Sequence, residues 1–189
     1  SWHITTRGAD GKTNSFSAKV LVNASGPWAY GTSQELLGTT QAYKPRLVRG
    51  SHIVVPRLYE HNRCYILQNA DGRIVFVIPY EETFTLIGTT ERDHGPDLEN
   101  ISIENDETVY LCESVNNYLK EPIGPRDVVW SYSAVRPLFD DGSSEAKSIT
   151  RDYRIVTESD NGMPPMISIL GGKITTYRTL AEEVVQEIG

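Results

Sequence analysis

The chain has 189 residues, 39% of them hydrophobic and 23% charged, a composition ordinary for a globular protein with one well-filled core. Its formal net charge of -7 argues against a nucleic-acid binder, which would more often carry a basic face. Cys64 and Cys112 stand far apart and form neither a disulfide framework nor a zinc motif, and no apolar run approaches the ~20 residues of a membrane-spanning helix.

Trp2–Thr6 already reads as strand. With no initiator Met and no basic, cleavable leader, this start is expected of a piece excised from a longer protein. Gly8-Ala9-Asp10-Gly11 is a hairpin connection to a second strand at Ser15–Ala24. The apolar run 19–24 within it predicts a strand buried on both faces. Ser25-Gly26-Pro27-Trp28 ends that strand, and a short helix follows through Leu37. His52–Pro56, Arg63–Gln68, Arg73–Ile78 and Phe84–Gly88 are β-branched runs, with turns at Asn69-Ala70-Asp71-Gly72 and Tyr80-Glu81-Glu82. Such close spacing predicts antiparallel neighbours. Ser102 reads as an N-cap, with Glu104, Asp106 and Glu107 in the first turn. The helical spacing then runs to Leu119. Val128–Ser133 predicts a buried strand, Ile149–Thr157 an exposed one, and Asp160-Asn161-Gly162 a turn into Met166–Leu170. A last helix begins near Thr176.

Four segments could carry chemistry. In Gly171-Gly172-Lys173-Ile174-Thr175-Thr176, glycines permit close backbone approach, a helix N-terminus offers free N–H groups, and Lys173 adds a charge. Together they make an anion site, or else an ordinary glycine turn with a solvated Lys. Arg136 and Arg151 could each fork onto a phosphate. Alternatively, Arg136 pairs with Asp140 or Asp141, and Arg151 with Asp152. His52, at a strand head after Gly50-Ser51, could face a pocket as a base or be a satisfied structural histidine. Asn23-Ala24-Ser25-Gly26 is a strand-to-loop edge suited to backbone contact with a nucleotide. Neither Glu81-Glu82 nor Asp140-Asp141 resembles a catalytic carboxylate pair, and G-x-G-x-x-G, G-x-S-x-G and HExxH are all absent.

Together, in order, these segments resemble the bacterial FAD-dependent, aerobic respiratory glycerol-3-phosphate dehydrogenases of the D-amino-acid-oxidase-like flavoprotein superfamily. The stretches are Val22–Trp28, Arg49–Pro56, Ser133–Leu138 and Gly171–Arg178, joined by Tyr65–Gln68, Gly72–Pro79, Leu86–Thr90 and Ile149–Tyr153. Ser25 stands where that family commonly has Thr. The family's N-terminal glycine-rich loop and helical C-terminal domain have no counterpart in these residues. The resemblance implies an α+β fold, with a large, mostly antiparallel substrate-domain sheet over about 29–165. Late elements of an FAD-binding domain would lie at about 15–28 and 166–189.

It implies oxidation of glycerol-3-phosphate to dihydroxyacetone phosphate, with FAD as cofactor and quinone as acceptor. His52 and Arg136 would be catalytic. Arg136, Arg151, Lys173 and Thr175 would bind substrate. Ala24, Ser25, Gly26, Gly172, Lys173, Ile174 and Thr175 would bind FAD. The whole enzyme would be cytoplasmic, peripheral on the inner membrane, and a homodimer, with no nucleic-acid partner. A glycerol-3-phosphate oxidase passing electrons to oxygen, and an inert isolated domain, remain alternatives at this point.

Overall fold

The computed structural model describes residues 1–38, 45–140, 149–159 and 162–189. Asp141, Asp160 and Asn161, which figure in the expectations above, lie outside them. The chain forms two compact units. One comprises Ser1–Arg46, the end of a strand from Pro137, and Ile149–Gly189; the other runs from Leu47 to Arg136.

In the first unit, β1 (Trp2–Arg7) and β2 (Thr13–Ala18) pair antiparallel from Trp2↔Ala18 to Arg7↔Thr13. Gly11, at φ 80°, closes the hairpin as its turn chemistry requires. The expected continuous strand 15–24 is instead broken at Lys19-Val20. Residues 21–23 form a separate β3 (Leu21–Asn23), which leaves β1 and runs parallel to β11 (Met166–Gly171). Nor is β3 covered on both faces: Val22 is 38% exposed. On its other edge β11 pairs antiparallel with β10 (Tyr153–Glu158), so the order is β10-β11-β3. Two helices belong here, α1 (Ala29–Leu37) and α3 (Tyr177–Ile188). Gly38, at φ 66°, ends α1 in the left-handed conformation.

The second unit is built on a six-stranded sheet of order β5-β6-β7-β4-β8, with β9 also paired to β4. Its strands are β4 (Pro45–Pro56), β5 (Tyr65–Gln68), β6 (Ile74–Tyr80), β7 (Phe84–Gly88), β8 (Arg92–Asp93) and β9 (Trp130–Phe139). The pairs β5–β6, β6–β7, β7–β4 and β4–β8 are antiparallel, as the short connections predict. One helix, α2 (Asn105–Asn116), covers one face. Alternate residues Ile53 and Val55 of β4 and Val75 and Val77 of β6 join Ile87 of β7. With Leu111, Cys112 and Val115 of α2 they form the buried core. Each such aliphatic burial contributes roughly 1.5–3 kcal/mol, enough to fix which face of the sheet points inward.

Two further expectations are corrected. The N-cap of α2 is Glu104, not Ser102, because its backbone N–H donates to the carboxylate of Glu107 at 3.0 Å. Val128–Ser133 is not a buried strand: β9 begins at Trp130, and Trp130 is 53% exposed.

Candidate active site

The strand alternation that buries Ile53 and Val55 turns Gly50 and His52 to the opposite face of the sheet. Register places His52 opposite Gly88, Gly88 opposite Phe76, and Phe76 opposite Ile66. These four form one row across the sheet. The imidazole leans over Gly88: a Cβ built there would meet His52 Cδ2 at 2.1 Å and Nε2 at 2.7 Å. Only glycine allows this approach. From β9, the Tyr132 ring stacks on His52 with centroids 4.8 Å apart and planes 4° apart, and Trp130 lies 5.5 Å from Tyr132.

Arg136 comes to the same face. A Cβ on Gly50 would meet its Nη1 at 2.6 Å and Nη2 at 2.9 Å, so the guanidinium lies directly over that glycine. Burial, and secondarily the positive charge of Arg136, hold the imidazole of His52 below its ordinary value of 6.5. Both effects favour the neutral imidazole. Its Nδ1 is buried and has no hydrogen-bond partner among the described residues. A histidine kept for the fold would normally have that nitrogen satisfied. Around the pair, Ile66, Phe76, Trp130 and Tyr132 leave an open apolar and aromatic surface. A large cleft of this unit shares none of these residues. It lies on the α2 side, lined by Tyr59, His61, Tyr65, Val115 and Tyr118 among others.

In the first unit, parallel pairing points the carboxyl ends of β3 and β11 the same way, with Asn23 opposite Ser168. Beyond β3 come Ala24, Ser25 and Gly26; beyond β11 comes Gly172. In α/β sheets that end of parallel strands is where ligands bind. Gly26 and Gly171 line one small hollow with Leu138 and Leu170. Ser25 Oγ donates to Asn23 Oδ1 at 2.6 Å, and Asn23 Nδ2 donates to the Ala29 carbonyl at 2.9 Å, which shapes the loop. Gly172 stands at φ 94°, and a Cβ built there would meet Tyr153 Cβ at 3.2 Å. Lys173, Ile174 and Thr175 are exposed, and a 3-10 turn over Ile174–Thr176 leads into α3. The pairing Tyr153↔Gly171 sets Arg151 and Lys173 past the same end of the β10–β11 ladder. Arg151 is half-buried and donates to the Ile149 carbonyl at 3.2 Å.

The residues expected to carry chemistry thus gather as two groups, His52 with Arg136 in one unit and the loop glycines with Lys173 in the other. Sequence reasoning missed Tyr132 and Gly88 as parts of the site. The alternation Trp130, Tyr132, Arg136 along one strand face was the available signal for Tyr132. Nothing local marks Gly88, because its need for glycine comes from a side chain 36 residues away in sequence (88 − 52).

The model of the FAD dependent oxidoreductase family matches residues 1–178. The chain belongs to that family. It is 46% identical over 187 residues to a glycerol-3-phosphate dehydrogenase of Pseudomonas aeruginosa, covering 99% of this chain and 36% of that protein. A D-erythritol 1-phosphate dehydrogenase of Brucella abortus is 41% identical over 182 residues, covering 96% and 36%. Among solved structures, the glycerol-3-phosphate dehydrogenase of Bacillus halodurans complexed with FAD superposes with a TM-score of 0.76 at 26% identity, over 98% of this chain and 35% of that one. The chain therefore spans about a third of the length of these relatives. Among the described residues no helix is long and apolar enough to cross a membrane.

Proposed function

We propose that the full-length protein containing this chain oxidises glycerol-3-phosphate to dihydroxyacetone phosphate with FAD, and that these residues supply its substrate side. The observation that carries the reading is His52: its pKa lowered, with a buried nitrogen that has no hydrogen-bond partner among the described residues, beside a guanidinium, on an open aromatic sheet face. The site fits the cofactor. The hollow edged by Gly26 and Gly171 and the exposed Lys173-Ile174-Thr175 segment offer close backbone approach and free N–H groups to an anionic, planar group. FAD, when bound, supplies the two-electron acceptor.

The chain's own residues supply positioning and proton handling. His52 takes the proton of the secondary hydroxyl as the hydride leaves the same carbon, which oxidises the alcohol to a ketone. Arg136 orients the substrate by a planar, charge-assisted fork and adds to the burial that favours neutral His52. The roles given to Arg151, Lys173 and Thr175 as substrate ligands rest on the resemblance and on the placement of the first two past one ladder end. Ala24, Ser25, Gly26, Gly172 and Ile174 are assigned to FAD on the same grounds. Quinone as the electron acceptor, contact with a membrane surface and a homodimer belong to this reading through the family alone.

The test is anaerobic mixing of the full-length, FAD-loaded protein with candidate substrates while flavin absorbance is followed. Glycerol-3-phosphate should bleach the flavin and glycerol should not, since the phosphate contributes the binding energy. Bleaching by D-erythritol 1-phosphate in preference would move the substrate to a longer polyol phosphate. Bleaching by neither would overturn the reading.

A further inference from the structure

On the far side of β4 from His52 lies a buried carboxylate that the reaction as described does not use. Glu107 of α2 is 3% exposed. Its Oε1 accepts from Thr90 Oγ1 at 2.6 Å and from Ser51 Oγ at 3.0 Å. Its Oε2 accepts from Arg49 Nη2 at 2.7 Å and from the Glu104 backbone N–H at 3.0 Å. Ser51 is wholly buried, and its oxygen lies 2.8 Å from Ser133 Oγ of β9. Ser51 has one hydroxyl proton and gives it to the carboxylate, so Ser133 donates to Ser51. Thr90 Oγ1 in turn accepts the Ser51 backbone N–H at 3.0 Å.

The connections have a geometric consequence. Arg49 and Ser51 bracket Gly50, over which Arg136 lies, and Ser51 immediately precedes His52. Ser133 immediately follows Tyr132, which stacks on His52. One carboxylate therefore holds β4 directly, and β9 through Ser51 and Ser133, from the face opposite the chemistry. A buried ion pair is weak evidence for stability, because well-packed apolar residues of similar volume commonly serve as well. Apolar side chains would not fix the two strands relative to each other with the direction that the Glu107–Ser51–Ser133 hydrogen bonds impose.

We propose that Glu107, acting through Ser51 and Ser133, is a positioning residue that sets His52, Tyr132 and Arg136 for the reaction. This rests on the reading that His52 and Arg136 carry the chemistry.

The test uses the full-length holoenzyme with Glu107→Gln and Ser51→Ala. Gln keeps the volume, and the hydroxyls of Ser51 and Thr90 can turn to accept from it. Ser51→Ala removes the Glu107–Ser51–Ser133 link, leaves the Arg49, Thr90 and Glu104 contacts of Glu107 in place, and covers the case in which Glu107→Gln does not fold. Cys112→Ala, a buried change on α2 with no reach to these hydroxyls, controls for lost stability. Both test variants should retain FAD and reduce it at saturating substrate roughly tenfold more slowly, short of the ~10²-fold that a 1 Å misplacement costs. The acidic limb of the rate profile, set by His52 facing Arg136 and the Tyr132 ring, should move up toward the ordinary imidazole range as the ring loosens and hydrates. Cys112→Ala should lower the melting temperature and leave rate and limb alone. If both test variants match Cys112→Ala, Glu107 only holds the fold. If His52→Gln itself has no effect on the rate, the underlying assignment fails instead, and the two failures are told apart.

Discussion

Gly88→Ala adds one methyl group where the structure has no room for it. The new Cβ would lie 2.1 Å from His52 Cδ2, 2.6 Å from Cγ and 2.7 Å from Nε2. Carbon atoms in contact settle at about 3.5–4.0 Å. The ring must therefore retreat by roughly 1.5 Å, the difference between that contact distance and the built one. Any such shift also disturbs the 4.8 Å stack with Tyr132. Overpacking of this kind costs about 1–3 kcal/mol of stability. A misplacement of ~1 Å in a reacting group costs about 10²-fold in rate. The assay is stopped-flow reduction of bound FAD by saturating glycerol-3-phosphate in the full-length protein, with flavin content measured beside it. Gly72→Ala is the control. Gly72 sits in an exposed turn at φ 80° with nothing within 4 Å of the added carbon, so it costs ~1–2 kcal/mol in backbone conformation and leaves His52 in place. The expected result is a rate near one hundredth of normal for Gly88→Ala, by the same estimate, and a normal rate for Gly72→Ala. A normal rate in both would refute the reasoning that the position of His52 governs the chemistry.

Gly50→Ala should act on binding instead, because the added carbon would meet Arg136 Nη1 at 2.6 Å and displace the guanidinium. With a charge-assisted hydrogen bond at ~1.5–3 kcal/mol, KM for glycerol-3-phosphate should rise about ten- to hundredfold in steady-state assays. Lys173→Ala should likewise raise KM by about ten- to hundredfold and slow flavin reduction by saturating substrate far less; an unchanged KM would remove Lys173 from the phosphate role. The 189 residues alone contain no G-x-G-x-x-G loop, so they should purify without flavin; stoichiometric flavin absorbance would contradict the dependence of FAD affinity on such a loop.

The parts of the fold legible in the sequence were those whose cause is local. Gly8 to Gly11 announced the β1–β2 hairpin, and the turn residues Asn69-Ala70-Asp71-Gly72 separated β5 from β6. The stripe from Tyr177 through Val184 marked α3, where Val184 is buried. What stayed hidden depends on distant partners. β4 begins at Pro45 rather than His52 because Arg49 can be buried in it, and it can be buried only because Glu104 and Glu107, on the helix side, pair with it. For the same reason Ser102 looked like the cap, when the side chain of Glu107 does that work at Glu104. Lys19-Val20 breaks a run that local pattern reads as continuous, because Leu21–Asn23 is claimed by β11, more than 140 residues later. At the site, the ordered motifs pointed to His52 and Arg136 by resemblance. Their shared sheet face, the glycines beneath them and the Tyr132 stack became visible only once β4, β7 and β9 lay side by side.

In the proposed reaction His52 takes the substrate's hydroxyl proton, and flavin reduction across pH tests that role most directly. Burial and Arg136 lower the folded-state value of His52, so the neutral base persists below 6.5 and the rate should fall only as pH drops through that lowered value. Stopped-flow reduction at saturating glycerol-3-phosphate should show this acidic limb in the wild-type enzyme. In His52→Gln the rate should be down by roughly 10²–10⁴-fold and the limb gone. A near-normal rate in His52→Gln with the same limb intact would contradict the claim and make His52 a structural residue of the strand.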